Sequence, residues 1–207
     1  MNEKKWEAYL QVAASEKMDS TGAADLINNA ILHLPPDAGK VLCIGCGDGY
    51  ELSRIRGAAG TNLNPEQVEQ VRSKGFECYH ADMHELPFED KSFDTVFCRD
   101  AFEHALSPYI AISEFARVAR KYVLIVVPDE SWQFSKWHYI CPTPIQMISL
   151  GIKLGLKPAA AWRYLFQYGY LFVPVKVDQK FLDEMKQFVV STFGIVVASF
   201  PSVEDFA

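Results

Sequence analysis

The stretch Lys40-Val41-Leu42-Cys43-Ile44-Gly45-Cys46-Gly47-Asp48-Gly49 decides the fold. Its first five residues form a short apolar run bounded by loop signals, the pattern of a fully buried strand. Three glycines at alternate positions follow, and Tyr50 to Arg56 resumes with helical character. A strand that passes through Gly-x-Gly-x-Gly into a helix leaves bare backbone beneath a helix N-terminus. Glycine permits positive φ there and removes the side chains that would keep a ligand away. The dinucleotide form of such a loop is spaced G-x-G-x-x-G, with the third glycine inside the helix. Here Gly49 arrives one residue early and Tyr50 stands in the dinucleotide glycine's place. A tyrosine ring at that point obstructs a pyrophosphate, so the spacing disfavours NAD and FAD.

Elements alternate on both sides of this loop. Upstream, Trp6 to Val12 has helical spacing, and Asp25 to Leu34 predicts a second helix that Pro35-Pro36-Asp37 ends. His33 falls at that helix's C-terminus, a surface or dipole-capping position. Downstream, Ala58 to Leu63 reads as a strand, and Asn64-Pro65-Glu66 as a helix start with Asn64 as N-cap and Pro65 first in the helix. Phe76 to Ala81, Phe93 to Cys98 and Tyr122 to Val127 are further strands. Between the last two, Ser107-Pro108 opens a helix whose Ile112, Phe115, Ala116 and Ala119 recur at helical spacing. Such alternation predicts a doubly wound α/β domain: a parallel sheet covered on both faces, with a ligand cleft where the strand order reverses.

After Pro128 the pattern loosens. Thr143-Pro144 begins a helix that runs through Met147 and Leu150 to about Leu154. The aromatic run Trp162, Tyr164, Phe166, Tyr168, Tyr170, Phe172 suits strands and a buried helix alike. Asp178 to Phe188 reads as a helix and Gly194 to Phe200 as a strand.

The 207 residues suit one domain, and 49% hydrophobic with 22% charged residues is the composition of an ordinary globular protein. A formal charge of −6 argues against a broad phosphate-binding surface, so nucleic acid is not an expected partner. No apolar run is long enough for a membrane span, and the first residues lack the apolar core of a secretory signal. The odd count of five cysteines then predicts reduced thiols and a cytoplasmic location. Cys43-Ile44-Gly45-Cys46 spells C-x-x-C, but a zinc site wants a second pair, and a redox pair wants its first cysteine at a helix N-terminus. Cys43 falls inside a strand, and Cys78 and Cys98 stand alone. No metal is expected.

Val41 to Gly49 closely resembles the first motif of class I S-adenosylmethionine-dependent methyltransferases, and the resemblance continues in register. Gly60-Thr61-Asn62-Leu63-Asn64-Pro65-Glu66 is similar to the family's second strand and turn, and Ala81-Asp82-Met83-His84-Glu85-Leu86-Pro87-Phe88 to its third motif. Ser92-Phe93-Asp94-Thr95-Val96, leading into Phe102-Glu103-His104, is similar to the fourth, and Glu114 to Arg120 to the fifth. The match covers about Lys40 to Pro128 and is most like the small-molecule branch. It implies a seven-stranded, mostly parallel Rossmann-like sheet in a single domain over residues 1–207, with a helical cap (1–38), a cofactor-binding core (39–128) and an acceptor-side part (129–207). The implied cofactor is S-adenosylmethionine. Gly45, Cys46, Gly47 and Gly49 would line its methionine part, while Asn62 and Leu63 would meet the ribose end. Asp82 would accept from the adenine amino group, Met83 would pack on the ring, and Arg99 or Asp100 would approach the methionine end or the acceptor.

Two positions depart from the family. Cys43 stands where an acidic residue usually ends the first strand, and Asn62 where a carboxylate usually holds both ribose hydroxyls. An amide can accept from one hydroxyl and donate to the other, a loss of about 1–2 kcal/mol. Arg120-Lys121-Tyr122 also replaces the family's Lys-Pro-Gly-Gly turn. These departures sustain an alternative: a non-catalytic, S-adenosylmethionine-binding pseudoenzyme module. An oxidoreductase is the third reading. For catalysis, His104 beside Glu103 and His138 in Trp137-His138-Tyr139 are the candidate bases, with Asp129 and Trp132 also on the acceptor side; His80 and His84 read as strand or surface residues. The aromatic C-terminal third offers an apolar pocket for a small-molecule acceptor, a packed core, or a homodimer contact.

Overall fold

A computed structural model of the chain describes residues 23–194 and 204. The helix expected over Trp6 to Val12 and the strand expected over Gly194 to Phe200 lie outside the described residues. In chain order the elements are α1 (Ala24–Leu32), β1 (Val41–Ile44), α2 (Tyr50–Arg54), β2 (Ala59–Asn62), α3 (Pro65–Ser73) and β3 (Glu77–His80). Then come β4 (Phe93–Arg99), α4 (Pro108–Val118), β5 (Ala119–Pro128), α5 (Pro144–Lys153), β6 (Leu156–Tyr164), β7 (Gln167–Pro174) and α6 (Gln179–Phe193). Short 3-10 turns at Phe102–His104 and Glu130–Trp132 follow β4 and β5.

The seven strands form one sheet in the order β3-β2-β1-β4-β5-β7-β6. The pairs from β3 to β5 are parallel; β7 lies antiparallel to both β5 and β6. Six strands therefore point one way and β7 the other. The chain walks outward from β1 to β3, then returns to lay β4 on the opposite side of β1. That reversal makes the carboxyl ends of β1 and β4 the ligand crevice of an open α/β sheet. Right-handed crossovers put helices on both faces. Alternate residues supply the two cores: Leu42, Ile44, Val96, Cys98, Val123 and Ile125 pack under α4, α5 and α6. Val41, Cys43, Phe97, Leu124 and Val126 pack against α1, α2 and α3.

Local chemistry places the helix starts. Asn64 accepts from the Gln67 N–H with Pro65 first in α3, as the sequence predicts. Thr143 and Gln146 close a capping box at α5, and Asp178 caps α6. The aromatic run, open between helix and strand, is the β6–β7 hairpin. Tyr170 and Phe172 are buried on one face, Leu171 and Trp162 pack on the other, and Tyr164, Leu165 and Phe166 are exposed at the turn. His33 caps α1 through Nδ1 and the Asn29 carbonyl at 2.9 Å, and its ring stacks on Trp162 at 3.8 Å.

Candidate functional site

The loop after β1 is built as its glycines require. Gly45, Gly47 and Gly49 have φ of 64°, 53° and 84°, all in the left-handed region. A Cβ on Gly45 would lie 2.7 Å from the Ala101 Cβ, so the loop and the end of β4 approach too closely for any side chain there. Gly49 is the N-cap of α2, and Cys46 donates its N–H to the Thr61 carbonyl at 3.0 Å, tying the loop to β2.

Asn62 supplies the second tie. Its Oδ1 accepts from the Gly47 N–H at 3.0 Å, and its Nδ2 donates to the Gly47 carbonyl at 2.8 Å. Only this orientation of the amide satisfies both partners. Asn62 is buried, and its amide holds the glycine turn rather than standing clear for two ribose hydroxyls. One lone pair and one N–H remain for a ligand. Leu63 presents its carbonyl to His80 Nε2 at 2.9 Å.

Asp82 lies just beyond β3, on the same sheet edge. Its Oδ1 accepts from the His84 N–H at 2.9 Å and sits 2.6 Å from His84 Nδ1. The Ser107 N–H donates to His84 Nε2 at 3.2 Å, which puts the ring proton on Nδ1, facing Asp82. His84 is therefore no surface residue. It is buried, and it fixes one carboxylate oxygen while joining the loop after β3 to the start of α4. Among the described residues Asp82 Oδ2 takes no hydrogen bond, which suits it to an incoming amine. Met83, half-buried, packs against the larger core beside it.

At the end of β4 the charged residues form a chain. Arg99 donates through Nε and Nη2 to Glu51 Oε1, both at 3.1 Å, and through Nη1 to Asp100 Oδ2. Gln167, the first residue of β7, donates to Asp100 Oδ1 at 2.6 Å. Asp100 holds a positive φ of 45°. Burial pushes the Glu51 carboxyl up, and the Arg99 guanidinium pulls it back. Sequence reading singled out Arg99 and Asp100 but missed Glu51 and Gln167. Glu51 could have been found as an acid in the first turn after the glycine loop; nothing local marks Gln167.

The acceptor side is brought together by backbone. The N–H groups of Tyr139 and Ile140 donate to the Glu103 carbonyl at 2.8 and 3.2 Å. This draws the segment after β5 over the Phe102–His104 turn. His104 and His138 meet edge to face with ring centroids 5.3 Å apart. Trp132 lies 6.1 Å from His138 and 5.7 Å from Phe166 across the hairpin turn. Asp129 is buried instead against Arg163 Nη2 at 2.8 Å and the Ser131 hydroxyl. Burial lowers the affinity of His104 for a proton. Burial, then the nearby Asp100, pushes the Glu103 carboxyl well above the usual range. Cys43 and Cys46 are buried, burial pushes the Cys43 thiol up, and Cys46 Sγ lies 3.8 Å from Cys78 Sγ.

Six like-directed strands and the antiparallel β7, with a glycine loop at the switch point and an acidic residue beyond β3, make a doubly wound α/β domain with a ligand crevice at one sheet edge. Residues 42–127 match the family model described as the methyltransferase domain. The chain is 26% identical over 140 residues to an O-methyltransferase of Penicillium expansum, a match covering 58% of this chain and 51% of that one. It is 32% identical over 101 residues to the 27-O-demethylrifamycin SV methyltransferase of Amycolatopsis mediterranei, covering 42% and 37%. The chain thus spans about half or less of these relatives' length. A S-adenosylmethionine-dependent methyltransferase of Thermotoga maritima shares the fold with a TM-score of 0.64 at 15% identity, over 83% of this chain and 94% of that one. The magnesium protoporphyrin IX methyltransferase of Synechocystis PCC 6803, with S-adenosylhomocysteine bound, gives 0.61 at 14% identity, over 84% and 96%. No helix among the described residues is long and apolar enough to cross a membrane.

Proposed function

We propose that this chain binds S-adenosylmethionine at the β1–β4 switch point and directs its methyl group to a small, largely apolar acceptor. The observation that carries this reading is the bare turn at Gly45, Gly47 and Gly49, all at positive φ, set on the same sheet edge as an Asp82 carboxylate with one oxygen uncommitted. The residues fit the cofactor: peptide without side chains for its amino-acid tail, a carboxylate for its adenine amine, and half-buried Met83 for the ring face. When bound, the cofactor supplies a methyl group on a positively charged sulfur.

The protein's part is alignment and exclusion of water. Asn62 and Thr61 hold the loop, His84 aims Asp82, and the Glu51–Arg99–Asp100–Gln167 chain fixes the floor between β1 and β4. The acceptor would lie among Trp132, Trp137 and Phe166, all partly exposed, with His104 and His138 as the polar groups beside it. The names of the relatives, an O-methyltransferase and a demethylrifamycin methyltransferase, favour a small hydroxylated acceptor for this chain as well.

Titration with S-adenosylmethionine and its demethylated product tests the reading. At a hundred times Kd, ligand stabilises by about 2.7 kcal/mol, a Tm rise of roughly 5–10 °C. No shift with either nucleotide at millimolar concentration would end it. A second reading, binding without transfer, is favoured by the commitment of the Asn62 amide to Gly47. A Tm shift with no methyl release across hydroxylated aromatic acceptors would select it.

A further inference from the structure

We propose that Glu103, His104 and His138 form a binding site for one divalent transition-metal ion of the zinc class, at the acceptor edge of the sheet. One ligand atom from each of the three lies within 4.8 Å of the other two. The residues come from two segments that the backbone already clamps together, through the Tyr139 and Ile140 N–H groups on the Glu103 carbonyl. The set therefore does not depend on a chance meeting of side chains.

The histidines are oriented as metal ligands are. His104 Nδ1 lies 2.9 Å from the Trp137 carbonyl and His138 Nδ1 lies 3.2 Å from the Trp132 carbonyl. A carbonyl only accepts, so each neutral ring carries its proton on Nδ1 and its lone pair on Nε2; Cys141 Sγ also lies 3.6 Å from His138 Nδ1, on the same side as the Trp132 carbonyl. Anchoring the far nitrogen to a carbonyl is the outer-shell device that fixes tautomer and ring direction in metal sites. His104 Nε2 stands 3.9 Å from Glu103 Oε1. That is too long for a hydrogen bond, yet near the roughly 3.4 Å that separates two ligands of a tetrahedral zinc at about 2.1 Å bond length.

Glu103 provides the second, independent observation. Its side chain is 2% exposed, and Oε2 has no hydrogen-bond partner among the described residues. A buried carboxyl oxygen left without a partner is costly. A cation bridging it to the two imidazoles removes that cost. Two imidazole nitrogens with one carboxylate oxygen suit zinc-class ions over magnesium or calcium, which prefer all-oxygen sets. The set contains no cysteine, so cysteine spacing could not reveal it. Three protein ligands leave a position open, as in catalytic rather than structural sites. That position would take the acceptor's hydroxyl oxygen, an extension that rests on the methyl-transfer reading; the binding of the ion does not.

The full chain, stripped of metal by a chelator and titrated without nucleotide, tests this. Zn2+ should bind with one-to-one stoichiometry at micromolar concentration or below, and Mg2+ should not bind at the same concentration. Co2+ should give visible ligand-field bands without the near-ultraviolet charge transfer of a thiolate. Glu103→Gln and His138→Ala should each weaken Zn2+ binding at least tenfold, whereas Cys141→Ser should leave it unchanged. His138 lies half-exposed on a loop, so its variant keeps the fold, which circular dichroism verifies. Absence of Zn2+ binding, unchanged affinity in both ligand variants, or a cobalt–thiolate band would overturn the proposal. Nucleotide titration of the metal-free chain reads the cofactor site separately, so the two failures are distinguishable.

Discussion

Asn62 shows how a single residue can take the family's place in the chain and perform a different task. In the family that the sequence resembles a carboxylate stands here; in this chain the amide grips both backbone groups of Gly47. Asn62→Asp, a change toward the family residue, would therefore set a carboxylate oxygen against the Gly47 carbonyl oxygen, now 2.8 Å from Nδ2. A donor is lost and two acceptors face each other in a buried place. The expected outcome is destabilisation by about 1–3 kcal/mol in urea unfolding, with weaker nucleotide binding in calorimetry. Tighter binding at unchanged stability would show that the amide's hold on the loop is dispensable and that ribose, after all, sets the demand at this position.

Helix α4 acts on the site through its Glu114–Arg117 pair. Arg117 Nε meets Glu114 Oε1 at 2.7 Å, while its Nη groups donate to the Phe88 and Leu86 carbonyls at 2.7 and 3.0 Å. Glu114 Oε2 accepts the Leu86 N–H at 2.8 Å. Three bonds thus latch the loop that follows Asp82 to the helix. The Arg117 guanidinium holds the Glu114 carboxyl below its usual range. A carboxyl whose folded pKa is depressed contributes stability above its unfolded pKa and loses it as pH falls through the folded one. Glu114→Gln should cost about 1–3 kcal/mol at neutral pH, and the gap to the parent chain should close between about pH 5 and pH 3. An equal gap at both ends of that range would mean the charge contributes nothing. The spacing of Glu114 and Arg117 was visible in the sequence, but their task was not, because their partners sit nearly thirty residues away. The same limit applies to Glu51 with Arg99, 48 residues apart, and to Gln167 with Asp100, 67 apart. What sequence did reveal was local: the glycine turn, the Asn64 cap, the helix start at Thr143-Pro144, and each strand from β1 to β5. The β6–β7 hairpin stayed ambiguous because the positions between its aromatics mix Arg163 and Gln167 with Leu165, Gly169 and Leu171, so no clean apolar–polar period separates strand from buried helix.

For the molecule as a whole, the segment that carries the family motifs is not the unit that folds. Five parallel strands end at Pro128, one residue beyond the end of the family match. In the structure β7 pairs with β5 from Val123 to Pro128, a run that is apolar and buried on both faces. A chain stopped at Pro128 would expose that ten-residue strand as an open edge, a template for pairing with other copies. It would also lose Met147, Ile152, Tyr170, Phe172, Leu182 and Met185, all buried on the α4–α6 face. At about 1.5–3 kcal/mol for each buried side chain, the lost contacts come to roughly 9–18 kcal/mol. That equals or exceeds the roughly 5–15 kcal/mol by which a domain is stable at all. The described residues after Pro128 are thus a structural part of the same sheet and core, and through Gln167 they also hold Asp100 at the end of β4. The fragment 1–128 should therefore elute as aggregate in size exclusion and unfold without a cooperative transition, with no nucleotide-dependent shift. A monomeric fragment with a sharp two-state transition would show that the motif-bearing half folds alone and that the hairpin is an addition to it.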